Sequence, residues 1–215
     1  MRRGPPVLAL CLTAATAAAG EPGWRVELAL GGAHSFGSTL QLEQAGQPAL
    51  ALEADWATRS FESPLYYALR LARTDARGAW ALRFIHHKVH LDNTTPEVER
   101  FGVSHGYNLL TLERAFRLGG FDLWAGAGLV IAHPESTVRG ETRSENAGGP
   151  FGGGYYPTGP TAALAAGRRL PLGGHVALVP ELRFTLSRAR VPIAAGEASV
   201  PNAALHLLVG LEARF

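Results

Sequence analysis

Two short stretches hold most of the side chains equipped for chemistry. One reads His86-His87-Lys88-Val89-His90 and the other Ser104-His105-Gly106-Tyr107-Asn108. In the first, Trp80, Leu82, Phe84 and His86 alternate on one face of a strand, which leaves Arg83 and His87 on the other. In the second, Phe101, Val103, His105 and Tyr107 take the apolar face, leaving Ser104 and Asn108 on the polar one. Joined by the 92–98 loop, the two strands are expected to be neighbours, with His87 opposite Ser104 and Arg83 opposite Asn108. A serine hydroxyl within reach of an imidazole is the start of a nucleophile–base pair, and Asp55 or Glu53 is the candidate carboxylate to orient the ring from across the interior. The competing expectation is a purely structural hydrogen-bond network, with His86 and His105 at a boundary.

Other chemistries are less well supplied. His86 and His90 share a face, but four residues of strand separate them by about 13 Å, too far for one metal ion. Gly148-Gly149-Pro150-Phe151-Gly152-Gly153-Gly154 lacks the Gly-Lys-Ser/Thr ending of a phosphate-binding loop. Neither a cofactor nor a metal is expected. The chain of 215 residues has a formal charge of +2, and Lys88 is its only lysine, so no basic field for nucleic acid exists.

These side chains sit on elements with a clear strand pattern. From Ala204 to the end, Leu205, Leu207, Val209, Leu211, Ala213 and Phe215 form one face, opposed by His206, Gly210, Glu212 and Arg214 together with Leu208. Trp24, Val26, Leu28 and Leu30 oppose Arg25 and Glu27. Leu65, Tyr67, Leu69 and Leu71 oppose Tyr66 and Arg70, and Leu182 and Phe184 oppose Glu181, Arg183 and Thr185. An arginine facing lipid costs about 2–4 kcal/mol at mid-membrane, whereas one facing inward can pair with a carboxylate. The spacing therefore predicts one lumen crossed by ion pairs.

The last strand resembles the C-terminal strand of bacterial outer-membrane barrel proteins, in which a terminal aromatic residue and alternating apolar residues are read by the assembly machinery. The resemblance implies that Phe215, Leu211 and Val209 form an assembly signal. The Ser/His/acidic grouping resembles that of outer-membrane lipid A deacylases, which implies a lipid hydrolase. It departs from their pattern, because those enzymes carry His and Ser two apart on one strand, whereas Ser104 and His105 are adjacent.

Met1-Arg2-Arg3, the largely apolar run Val7–Ala19 and its Ala17-Ala18-Ala19 close read as a secretory signal peptide over residues 1–19. Bulky Leu10 before Cys11 argues against lipid attachment there. Cys11 is the only cysteine, so the remaining barrel domain, 20–215, has no disulfide. Its longest uncharged apolar run, Leu123–Ala132, is too short for a membrane helix. Any crossing must be made by strands.

The expected fold is all-β: a single antiparallel up-and-down transmembrane barrel of ten strands, near 24–33, 38–44, 48–58, 64–73, 78–91, 99–115, 120–133, 157–171, 174–190 and 201–215. The count falls to eight if the 38–58 hairpin lies outside the membrane. Short turns are expected at 74–78, 117–120 and 170–174, and longer links at 92–98, 134–156 and 191–200, the 134–156 link being mobile. The expected location is the bacterial outer membrane, with lipids, lipopolysaccharide and the barrel assembly machinery as partners of a monomer. A filled lumen excludes a general diffusion pore and suits an envelope structural or surface-interaction role. The alternatives are the lipid A or phospholipid hydrolase and a secreted lipocalin-like binder.

Overall fold

The computed structural model describes residues 22–103, 105–144, 146–150 and 152–215. The expected signal peptide, with Cys11, and Ser104 lie outside the described residues. The strands are β1 (Gly23–Ser35), β2 (Ser38–Gln44), β3 (Leu50–Ala54), β4 (Trp56–Ala57), β5 (Tyr67–Asp75), β6 (Gly78–His86), β7 (Val89–Leu91) and β8 (Val98–Val103). They continue with β9 (Tyr107–Leu118), β10 (Phe121–Ala132), β11 (Glu135–Val138), β12 (Glu141–Arg143), β13 (Tyr156–Gly167), β14 (Leu170–Gly173), β15 (Val176–Ile193) and β16 (Gly196–Arg214).

Eight strands close the barrel in the order β1-β5-β6-β9-β10-β13-β15-β16, and β16 returns antiparallel to β1. Of the two expected counts, ten and eight, the closed barrel has the smaller. The 38–58 segment does form strands, but β2 pairs only with Gly196–Ser199 at the start of β16, and β3 pairs with β2. This hairpin stands on the rim. Its alternation is as regular as that of the wall, because period two reports that one face is buried without saying against what. Leu40 and Leu42 are buried and Gln41 and Glu43 exposed.

One end of the barrel has short turns, as expected. The other carries an ordered cap in place of the expected loops. β4, β7, β8, β11 and β12 form a second sheet in the order β12-β11-β8-β7-β4. The 134–156 link, expected to be mobile, supplies the β11–β12 hairpin, and 191–200 is no loop: Ile193 pairs with Gly196 in a tight hairpin of the two longest strands. The cap packs on an apolar core that continues into the upper lumen: Leu40, Leu42, Trp56, Val89, Phe101 and Val138 meet Val191, Ile193 and Val200 from the tops of β15 and β16, and the same cluster takes in Ile85, Leu109 and Leu208 of the wall. The rings of Trp56 and Phe101 lie 6.2 Å apart.

The wall is polarised opposite to a soluble protein. Leu28, Leu164, Leu207 and Leu211 stand outward at 53–65% exposure, while Arg25, Glu27, Arg70, Arg83, Glu113, Glu181 and Arg183 are buried inside. A continuous belt of exposed leucines around a charged interior is stable only when lipid covers the belt. At the short-turn end the belt is edged by aromatic rings carrying arginines: Arg73 lies over Trp24 at 5.4 Å, Arg114 over Trp80 at 5.3 Å and Arg168 over Phe121 at 5.8 Å. Such girdles mark a membrane interface. The chain is a transmembrane antiparallel β-barrel of outer-membrane type.

Candidate functional site

Inward-facing positions on five wall strands bring three guanidiniums and three carboxylates to one level of the lumen. Arg70 of β5 donates to Glu27 of β1 at 2.8 Å and to Glu181 of β15. Arg83 of β6 reaches Glu27 at 2.6 Å and Glu181 at 3.4 Å. Arg183 of β15 binds Glu113 of β9 at 2.6 Å and Glu181 at 2.9 Å. Their formal charges cancel, and each carboxylate touches at least one arginine, the arrangement that low-dielectric burial demands. The Trp124 ring packs 4.3 Å from the Arg70 guanidinium. Gly210 makes room for Glu27, since a Cβ there would sit 2.8 Å from the carboxylate side chain. The network spans the lumen from β1 and β5 to β9 and β15.

Toward the cap lies a layer of hydroxyls and imidazoles. The Tyr66 hydroxyl is 2.8 Å from His206 Nδ1, and His206 Nε2 is 2.8 Å from the Thr185 hydroxyl. His87 Nε2 is 3.2 Å from the Ser35 hydroxyl, and its ring lies 5.2 Å from that of His206. Ser187 donates to the Tyr107 hydroxyl, which donates to the Val200 carbonyl, both at 3.1 Å. His206 and Tyr66 were legible on polar faces in the sequence. Ser35 carried no such signal, because the alternation of β1 breaks down at Gly31-Gly32.

Several expected site placements need correction. Arg83 pairs with Thr111, not Asn108, and the amide of Tyr107 donates to the carbonyl of His87 at 2.6 Å. Tyr107 faces the lumen and Asn108 the outside, the reverse of the expected parity. The reason is a chain break in the pattern: 98–103 belongs to β8 in the cap, and β9 begins anew after Gly106, whose φ of +131° ends any continuous alternation. Ser104 itself is outside the described residues. Asp55 and Glu53 are exposed on the rim; the Asp55 amide donates to Asn93 Oδ1 at 2.8 Å and Glu53 accepts from the Thr39 hydroxyl at 2.7 Å. The structure does not bring these two carboxylates to the fully buried His87.

A second constellation was missed by sequence reasoning because it depends on that reversed parity. On the outside of the wall, Tyr67, Phe84, His86, Asn108 and Ile131 from four consecutive strands line a groove of about 510 Å³, edged by Pro64, His105 and Tyr155. Tyr67 pairs with His86 across β5 and β6, and their rings stack at 5.2 Å. Asn108 pairs with Ile131 across β9 and β10. His86 Nδ1 is 2.8 Å from Asn108 Oδ1, whereas His86 Nε2 is buried and has no hydrogen-bond partner. Above the groove the Tyr155 hydroxyl donates to the His105 carbonyl at 3.2 Å, and its ring packs on His133 at 4.5 Å. Among the described residues no three His, Cys, Asp or Glu side chains converge as a metal site.

No protein-family model matches the chain, and no curated protein matches it. Solved structures do resemble it. The outer membrane protein AlkL, determined by solid-state NMR in lipid bilayers, superposes with a TM-score of 0.47 at 15% identity, covering 100% of this chain and 97% of that one. Neisserial surface protein A gives 0.41 at 9% identity, covering 92% and 99%. Ail, the attachment invasion locus protein of Yersinia pestis, gives 0.35 at 10% identity, covering 90% and 99%.

Proposed function

We propose that the chain is a monomeric bacterial outer-membrane barrel that works without conducting solutes, through its folded cap, in envelope integrity or surface interaction. The network of Arg70, Arg83 and Arg183 with Glu27, Glu113 and Glu181 carries this reading, because it fills the lumen with paired charges that no permeant solute can displace without stranding an ion. The lipid-covered belt and charged interior support a membrane barrel over a soluble lipocalin-like binder, whose polarity would be the reverse. Short turns on the periplasmic side and the cap outside follow the asymmetry of such barrels. The surrounding outer-membrane lipids and lipopolysaccharide are its contacts, and the barrel assembly machinery inserts it by reading Phe215, Leu211 and Val209, whose side chains stand outward at 71%, 55% and 51% exposure.

Conductance tests this directly. Refolded protein that shifts on unheated gels is fused into planar bilayers, and no stepwise currents are expected. Regular conductance steps from the folded form would overturn the closed-lumen reading.

A further inference from the structure

The wall groove sets a requirement that the protein does not itself meet. His86 is 6% exposed and lines the groove, and its Nε2, buried at the groove wall, has no hydrogen-bond partner. With Nδ1 donating to Asn108 Oδ1, the neutral ring carries its lone pair on Nε2, an acceptor in search of a donor. Depth makes this unusual. His86 lies six residues beyond Trp80 of the girdle on the same face, about 20 Å along the strand and roughly 15 Å along the membrane normal at a 40° tilt. That is within an apolar band about 25 Å tall, where acyl chains are the neighbours and a bare polar atom is unfavourable.

We propose that this groove binds a single amphipathic lipid whose acyl chain lies on Phe84 and Ile131 and whose hydroxyl or amide N–H donates to His86 Nε2. The shape suits that occupant. Phe84 and Ile131 continue the lipid-facing belt downward, so a chain enters sideways from the bilayer without crossing water. Tyr67 stacks on the imidazole and fixes its plane, and Asn108 fixes which nitrogen is left bare. Tyr155, held over the groove by its bond to the His105 carbonyl, bounds the end nearest the cap, where a polar headgroup lies. A saturated chain with no donor fills the groove but leaves Nε2 unsatisfied, so the site selects lipids with a donor close to the chain. This is separate from the lumen and does not depend on whether the barrel conducts.

The test uses the full folded protein, 15N-labelled at histidine, in lipid nanodiscs. N-tetradecanoylethanolamine, which has an amide N–H and a hydroxyl, is titrated against methyl tetradecanoate, which has the same chain and no donor. A saturable movement of the His86 Nε2 resonance with the amide alone is expected, and His86→Phe should weaken binding of the amide by about tenfold, the weight of one hydrogen bond. No saturable shift, an equal shift with the ester, or undiminished binding by folded His86→Phe would each overturn the proposal. If that variant does not fold, the comparison of the two probes on the wild-type resonance still decides.

Discussion

Arg183 on β15 grips Glu113 on β9 with both terminal nitrogens, at 2.6 and 2.9 Å, across a lumen whose wall places β10 and β13 between them. The pair therefore ties together strands that share no ladder. Removing one partner leaves a buried charge uncompensated, so Arg183→Met should cost about 3–5 kcal/mol of stability. Urea unfolding in detergent micelles measures it, and a loss below about 1 kcal/mol would show that the network carries little.

Asp75, the last residue of β5 at the turn beyond the belt, is held down to about 2 by its hydrogen bond to Arg114 and then by the Arg77 amide. Its folded pKa lies below the ordinary carboxylate value of 3.8. The contribution is thus fully present above about pH 4 and is lost as pH falls toward 2. Stability profiles of wild type and Asp75→Asn should differ at pH 5 and converge near pH 2. Parallel profiles across that window would contradict the assignment.

The Phe215 side chain is 71% exposed, while its backbone amide and carbonyl pair with Trp24 at 3.0 and 2.8 Å. Phe215→Ala keeps both backbone bonds. It should reduce the amount of protein inserted in cells while leaving the melting temperature of the purified barrel unchanged. Normal surface levels would count against the assembly role of the terminal residue.

Phe101 is 2% exposed in the cap core. Truncating it to alanine should cost the cap about 3–5 kcal/mol without disturbing the wall below. Limited proteolysis reads the difference: cleavage within 92–97 should accelerate, and a protected barrel fragment should persist. Cleavage at the wild-type rate would show that the cap does not rely on this core.

His87 is fully buried inside the barrel and bonded to Ser35, so a structural role is the expectation. His87→Gln and Ser104→Ala should leave lipid A acylation unchanged, as mass spectrometry of lipid from cells with and without the protein would show. Loss of a lipid A species that depends on both residues would instead establish the hydrolase.

The alternation of Arg25 and Glu27 with Val26 and Leu28, and of Glu181 and Arg183 with Leu182 and Phe184, was enough to determine a barrel with an ionic lumen and an apolar outside, because side-chain parity is a local property of the strand. Which carboxylate meets which guanidinium was not local. It depends on how eight strands are staggered at closure, and only the tertiary structure sets Arg183 against Glu113. The same limit produced the two extra strands, since Leu40 and Leu42 bury against the cap with the period they would show against lipid. The groove was decided last: a break at Gly106 turned Asn108 outward beside His86. Parity is fixed only within an unbroken strand, and where the chain breaks, the packing of the whole barrel chooses the face.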